Sequence, residues 1–176
     1  MNLFILSLCP KEIAEFMMDK HVSKILLEAV QMLCSSRRIL MPDDDEVNQK
    51  LYKLAHKNHP VTIWCRTSRA NFEWTLDLID CLHKEWKYRY KHPESKTHKA
   101  YVMAAYLRQN VPPSDRFAET GLTRFALAMP DDYKTDDPIV SYRNYYMSVP
   151  KQQIATWNKG RSKPEWYKIK KMTPYL

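Results

Sequence analysis

Residues 19–38 read DKHVSKILLEAVQMLCSSRR, and this stretch decides the fold of the chain. On a helical wheel at about 100° per residue, its apolar side chains cover roughly two thirds of the circumference. The polar stripe that remains is narrow, the reverse of the balance on an ordinary surface helix. The stretch therefore predicts a buried helix with one polar seam, formed by His21, Lys24, Glu28, Gln31 and Ser35.

The seam combines an imidazole, an amine and a carboxylate. His21, Lys24 and Glu28 are spaced i, i+3 and i+7 and therefore share one face of the helix. Buried ionisable groups are costly unless they are paired or used. We expect Glu28 to act as a general base or to stabilise a developing cation, Lys24 to form an imine or bind phosphate, and His21 to shuttle a proton or contact phosphate. The alternative is an ordinary ion pair of Lys24 and Glu28 at a solvated edge, with His21 merely nearby.

The composition points to a folded protein with an anionic partner. Hydrophobic residues make up 44% and aromatic residues 12% of the 176 positions, which favours a packed core. The net charge is +8, with basic residues concentrated in 84–99 and 159–171 and acidic residues in 43–46 and 131–137. Such a layout is typical of nucleic-acid binding. With only two glycines, a nucleotide-binding glycine loop is excluded.

Cysteine usage and hydropathy give further expectations. The four cysteines are scattered and include no C-x-x-C pair, which favours free thiols in a reducing compartment, and we expect a cytoplasmic protein. The His56–His59 and Cys81–His83 spacings are too small a ligand set for zinc, so we expect neither a metal nor a cofactor. No apolar run is long enough to span a bilayer, and the start MNLFILSLCP lacks the basic leader of a signal peptide. We expect no membrane partner.

The hydrophobic periodicity predicts a mostly α, single-domain helical bundle with Pro-rich loops. Residues 1–176 are expected to form one domain, with a basic, aromatic tail at 150–176 packed on it. Residues 2–8 are interpreted as a short strand or an extended arm, and 111–135 as irregular. Helices are expected at 10–18, 19–40, 46–56, 60–91, 95–109 and 138–149.

Two further clusters could bind DNA. The segment HKNHP at 56–60 opens a helix, and a helix N-terminus is a ready phosphate site; simple helix capping is the alternative. The segment KGRSKPEWYKIKK at 159–171 interleaves basic and aromatic residues, which suits backbone contacts plus base stacking; a tail anchored on the core by its aromatic residues is the compatible alternative. The residues expected to contact DNA are Lys20, His56, Lys57, His59, Arg66, Arg69, Lys163, Trp166, Tyr167 and Lys168.

In three places the chain resembles the pyrimidine-dimer DNA glycosylase/lyase family, the endonuclease V-type enzymes of phages. In that family a helix near the N-terminus has a His followed seven residues later by the catalytic Glu, the spacing of His21 and Glu28. A His-Pro segment then opens a second long helix, as NHPVTIW does at 58–64, and the tail ends in Pro-x-Trp-Tyr-Lys with Tyr next to last, as at 164–168 and Tyr175. Similar patterns in uncharacterised phage proteins favour a viral origin.

The resemblance implies that Glu28 is the catalytic carboxylate, which supports cleavage of an N-glycosidic bond while an amine attacks the sugar C1′ and forms an imine. In the family that amine is the N-terminal α-amine, freed when Met is removed before a small residue. Here Asn2 is not small, so Met1 is expected to stay, and the arm before the seam helix is longer. Lys24 or Lys20 is therefore a candidate amine, and without one Glu28 would activate water.

The predicted function is that of a DNA-base N-glycosylase, with or without lyase activity, which acts as a monomer on damaged or modified pyrimidines in double-stranded DNA. The target base must leave the stack, and Trp64 or Trp166 is expected to fill or line the gap. Two alternatives remain open. One is group transfer to a modified thymine in phage DNA, prompted by the altered amine and the extra segment at 92–135. The other is a non-enzymatic nucleic-acid-binding protein whose seam is structural.

Overall fold

The computed structural model describes residues 1–169, and within this range the chain is mostly α-helical with no β-strand. The mostly α fold class is therefore confirmed. Two single 3₁₀ turns, Ser114–Arg116 and Asp131–Tyr133, interrupt the long connection before the last two helices. The helices are α1 (Pro10–Phe16), α2 (Asp19–Leu40), α3 (Asp45–Asn48), α4 (Pro60–Thr67), α5 (Arg69–Arg89), α6 (Lys99–Gln109), α7 (Pro138–Tyr146) and α8 (Val149–Gln152).

The seam helix, α2, is the centre of the fold. It packs against α4, α5 and α6, and only Lys20, Lys24 and Leu27 are exposed along its length. The predicted buried helix with a narrow polar stripe is thus confirmed, as is its end at Leu40. Most of α2 is therefore covered, and the polar stripe reaches the surface at Lys24.

Residues 2–7 form a buried arm rather than a strand, and Leu8 at the end of the arm is 67% exposed. Leu3, Phe4, Ile5 and Leu6 are each at most 3% exposed, so the arm is part of the core. Phe4 has a φ of 53°, a backbone conformation that side chains with a Cβ rarely adopt. The Asn2 side chain stabilises this bend, because its Oδ1 accepts hydrogen bonds from the amides of Leu3 and Phe4 at 2.8 and 3.2 Å.

The single long helix predicted at 60–91 is wrong, because the chain breaks at Ser68 into α4 and α5. Ser68 is extended, with φ −136° and ψ 153°, and its hydroxyl caps α5 by accepting from the Asn71 amide at 3.0 Å. The loop segment at 119–120 replaces the missing helical bonds, since the Glu119 amide donates to the Thr67 carbonyl at 3.0 Å. The break depends on a partner far along the chain, which a local pattern does not contain.

Two other predicted helices are too long. The helix expected at 46–56 ends as the single turn α3 because the Arg38 guanidinium, from α2, donates to the carbonyls of Leu51 and Tyr52. Those carbonyls are then satisfied without a continuing helix. The helix expected at 95–109 begins only at Lys99, where the His98 side chain caps it by accepting from the Ala100 amide.

A buried ion network joins both ends of the fold through Arg89, which is fully buried. Its guanidinium donates to Asp19 at 3.1 Å and to Glu85 at 2.6 Å. It also donates to the carbonyls of Ala14, Glu15 and Met17 at the end of α1. Arg161 from the tail adds two 2.9 Å hydrogen bonds to Glu85. The network therefore fixes α1, α2, α5 and the tail relative to one another.

Buried apolar residues from Leu3 to Tyr167 belong to one hydrophobic core. The described part of the tail is therefore packed on the helices. The assignment of 1–176 to a single domain stays a prediction.

Candidate active site around Glu28

Glu28 is the least exposed charged side chain on the polar stripe of α2. Its side chain is 15% exposed, and one carboxylate oxygen lies 4.0 Å from the Lys24 ammonium, one turn earlier. The other oxygen accepts a hydrogen bond from the Asn2 amide at 2.9 Å. The i, i+4 pair of Lys24 and Glu28, given above as the alternative interpretation, is therefore present. The Lys24 side chain is 62% exposed, so the lysine end of the pair is open to solvent.

The arm brings the chain's α-amino group to the same carboxylate. The Met1 nitrogen lies 3.9 Å from Glu28 Oε2. Asn2 holds this end of the chain in place, because its side-chain amide donates to the Ala128 carbonyl at 2.7 Å while its backbone amide binds Glu28. The longer arm thus does not carry the terminal amine away from Glu28, because the arm is folded into the core.

His59 forms another side of the site. It caps α4, with Nδ1 accepting a hydrogen bond from the Val61 amide at 3.2 Å. Burial lowers the pKa of His59, and the positive charges of the α-amino group and His56 lower it further. The charge of Glu28 and a hydrogen bond with the Met1 backbone raise the pKa, but these are smaller effects. His59 is therefore a neutral donor beside the amine near neutral pH. Helix capping, the alternative interpretation of the HKNHP segment, is thus observed, with His59 rather than Asn58 as the cap.

Lys151 is a site residue that sequence reasoning missed. It projects from α8 so that its ammonium lies 4.9 Å from the centre of the Phe4 ring and 5.3 Å from that of Tyr145. Burial and the charge of Lys24 lower the pKa of Lys151, while Glu28 opposes that shift. No local pattern could have found it, because α8 is four residues long and its contact with the arm is entirely tertiary.

His21 is in the core, and the expectation that it contacts phosphate is wrong. The residue is 1% exposed, its Nδ1 lies 3.0 Å from the Tyr146 hydroxyl, and its ring stacks on Phe4 at 4.8 Å. Burial lowers the pKa of His21 to about 3, with the charges of Lys151 and Lys24 acting in the same direction. His21 therefore packs against Phe4 inside the core, where a ligand on the surface cannot contact it.

Replacing His21 with asparagine is expected to reduce the acid sensitivity of folding. The unfolded chain takes up a proton on His21 below pH 6.5, whereas the folded protein does so only near 3, so stability falls as the pH drops through this window. Between pH 7.5 and 5 this one group costs about 2 kcal/mol. Urea unfolding at both pH values measures the effect, and the variant should lose about that much less than the wild type. An identical pH dependence in both proteins would contradict the assignment.

The other residues predicted to bind phosphate are scattered around α4 and α2. Lys20, His56 and Lys57 are exposed. Arg66 donates to the Lys57 carbonyl at 2.7 Å and so holds this loop. Arg69 is paired with Glu73 at 2.8 Å, which compensates its charge. Contact of these five residues with DNA stays a prediction.

Of the two tail aromatic residues predicted to stack on bases, Tyr167 is buried, so the expectation is wrong for Tyr167, whereas Trp166 is half-buried and its stacking on a base stays a prediction. Trp166 lies against Phe16 and has the Arg143 guanidinium 4.9 Å from its ring centre. Tyr167 is 3% exposed and packs on Trp157. The anchored tail, the alternative interpretation, is the one observed, and Lys163 and Lys168 are exposed beside the anchor. Tyr175 lies outside the described residues.

Trp64 cannot fill the gap left by an extruded base. It is 5% exposed and packs edge-on against Trp74 and, at 5.1 Å, against Phe125.

Among residues 1–169, no group of three or more His, Cys, Asp or Glu side chains could hold a metal ion. In the same range, no helix has the length and apolar character needed to cross a membrane.

Comparisons of the chain with protein-family models, with curated proteins and with solved structures give no significant match. The function must therefore be argued from the site itself, with the resemblance noted above as its only family context.

Proposed function

We propose that this protein is a DNA-base N-glycosylase with lyase capability, which acts on damaged or modified pyrimidines in double-stranded DNA. The observation that supports the proposal is the 3.9 Å distance between the α-amino group and Glu28, a carboxylate that is 15% exposed. An amine and a carboxylate at this separation are the two groups that imine-forming base excision requires. The His21–Glu28 spacing and the Pro-x-Trp-Tyr-Lys motif of the family resemblance support the same reaction.

The proposed reaction begins with attack of the neutral α-amine on the sugar C1′. A bond forms between nitrogen and C1′ as the bond from C1′ to the base breaks, and the electron pair leaves with the base, which takes a proton from water. Glu28 takes the proton that the attacking nitrogen loses and passes it to O4′ as the sugar ring opens, which gives a protonated imine. Loss of a proton from C2′ to water then allows the 3′ phosphate to be eliminated.

The two lysines of the site have supporting roles. Lys24, which is 62% exposed, would bind a backbone phosphate of the target strand. Lys151 faces the aromatic rings of Phe4 and Tyr145 and would stabilise the negative charge that develops on the departing base. The net charge of +8 suits a DNA duplex as the partner. Such an enzyme would work in the cytoplasm, that of the host if its origin is viral.

Borohydride trapping is expected to join the protein covalently to a duplex with an abasic site or a pyrimidine dimer. N-terminal acetylation removes the amine and should abolish the adduct, whereas the Lys24→Ala and Lys151→Ala variants should retain it. Peptide mapping by mass spectrometry identifies the attached residue.

Three other outcomes separate the alternatives. An adduct on Lys24 or Lys151 would replace the α-amine as nucleophile but keep the enzyme class. A base of increased mass with its glycosidic bond intact would indicate a transferase. Binding without adduct, base release or strand scission on any substrate would overturn the proposal in favour of a nucleic-acid-binding protein.

A further inference from the structure

Two basic segments that are far apart in the sequence lie against each other on the surface. The Tyr88 hydroxyl, from α5, donates to the Gly160 carbonyl at 2.9 Å, and the Lys159 ammonium lies 5.0 Å from the centre of the Tyr90 ring. Gly160 has a φ of 78°, and a Cβ there would lie 3.3 Å from the Tyr88 ring, so glycine permits this close approach. Residues 84–92 and 158–161 therefore form one surface, which we call the Tyr88 surface.

Two open pockets on the Tyr88 surface share Tyr88, whose side chain is 54% exposed. The first pocket is about 500 Å³ in volume and is lined by Lys84, Lys87, His92 and Tyr101, among others. The second is about 590 Å³, and its lining includes Lys91 and Lys159. Each pocket thus combines lysine ammonium groups with an aromatic wall.

The surface retains a positive charge that the protein does not neutralise. The Glu85 carboxylate is bound by Arg89 and Arg161, and Glu94 by Lys87. Lys84, Lys91 and Lys159 form no ion pair with a carboxylate of the described part of the chain. Three lysine cations around Tyr88 are therefore not neutralised by a carboxylate. The Arg161 guanidinium lies 4.5 Å from the centre of the Tyr88 ring and covers one face of it, which leaves the other face for a base.

Two hydrogen bonds connect the first pocket of the Tyr88 surface with helix α2. Ser23, the neighbour of Lys24 on α2, is hydrogen-bonded to the His98 ring at 2.9 Å. The His98 amide in turn donates to the ring of His83, which lines the first pocket. The first pocket is thus linked to α2 through His83, His98 and Ser23.

We propose that the Tyr88 surface binds a single strand of nucleic acid, with bases stacked on Tyr88 and His92 and phosphates held by Lys84, Lys91 and Lys159. Concave basic pockets with exposed aromatic faces are typical of single-strand binding, because bases within a duplex already stack on one another. This inference does not depend on the Glu28 chemistry. A strand bound here would be one displaced from the duplex or one flanking the reaction site.

The test is fluorescence anisotropy with a lesion-free thymidine decamer, measured in the Glu28→Gln background so that no reaction intervenes. A decamer of abasic tetrahydrofuran units has the same charge but no bases, and we expect it to bind at least about fivefold more weakly because stacking is lost. Equal affinity for the two probes would overturn the stacking assignment. A uridine decamer is measured in the same way. The protein should bind the thymidine decamer more tightly if the strand is DNA and the uridine decamer more tightly if it is RNA.

Charge-neutral variants locate the binding on the protein. The Lys84→Gln/Lys91→Gln double variant is expected to lower the slope of log affinity against log salt by about 1.4, since each phosphate contact to a single strand contributes about 0.7. The Lys50→Gln/Lys53→Gln variant makes the same charge change in the loop after α3 and should leave the slope unchanged. An equal loss in both variants would mean binding by net charge alone and would overturn the site. Because binding is read without catalysis, failure here is distinct from failure of the proposed glycosylase.

Discussion

Replacing Glu28 with glutamine is expected to lower the rate of base release by about 10²- to 10⁴-fold, the usual contribution of a general base. Glutamine has the same shape, and its carbonyl oxygen can still accept the Asn2 amide hydrogen bond now observed at 2.9 Å. Glutamine cannot take the proton from the attacking amine, and it cannot stabilise the positive charge that develops on the sugar. Single-turnover release of base from a lesion-bearing duplex is the appropriate measurement.

The control for that experiment is Glu46→Gln, the same chemical change at an exposed position in α3. It should leave the rate unchanged. Duplex affinity should differ by less than about threefold between Glu28→Gln and the wild type, which would place the loss in the chemical step rather than in binding. Unchanged base release by Glu28→Gln would remove Glu28 from the reaction.

A purely structural Glu28 would give a different pattern. Its partner Lys24 is 62% exposed, and exposed pairs of this kind contribute at most about 1 kcal/mol to stability. A structural role would therefore produce a small loss in the free energy of unfolding and little else. A large kinetic effect with nearly unchanged stability separates the two roles.

The sequence predicted the parts of the site that depend on local periodicity. The wheel of α2 identified the narrow stripe and paired Lys24 with Glu28, because residues four apart on a helix are neighbours. It misplaced His21, which shares the stripe, because the wheel does not show that Phe4 and Tyr146 cover that end. A helical pattern gives the face of a residue but not what lies on that face.

The remaining parts of the site depend on contacts between distant segments. Asn2 and Glu28 are 26 residues apart, and Lys151 reaches Phe4 from a helix near the other end of the chain. The tail illustrates the same limit, since basic and aromatic composition suits both a stacking surface and an anchor. The packing of Trp166 on Phe16 and Arg143 shows that this residue anchors the tail. Neither partner is indicated by the tail sequence.

Replacing Arg89 with methionine is expected to lower the free energy of unfolding by about 3–5 kcal/mol, because the substitution leaves the buried Asp19 without its ion-pair partner and leaves Glu85 with Arg161 alone. Asp19 and Glu85, each 4% exposed, would face each other across the space that the guanidinium now occupies. Asp19 would keep its bonds to Thr156 and Asn158 but would lose the cation that pairs with it. Urea unfolding at neutral pH measures the loss.

Helix α5 provides a matched control at its other end. Arg69 and Glu73 form an Arg–Glu pair at four-residue spacing, as Glu85 and Arg89 do, but their side chains are 40% and 44% exposed. Arg69→Met should therefore cost less than about 1 kcal/mol. Similar losses in the two variants would show that Arg89 does not hold the ends of α1 and α2 together. A large loss at Arg89 alone would mean that the ion network, and not the helical pairing itself, fixes the start of α2 and with it the position of Glu28.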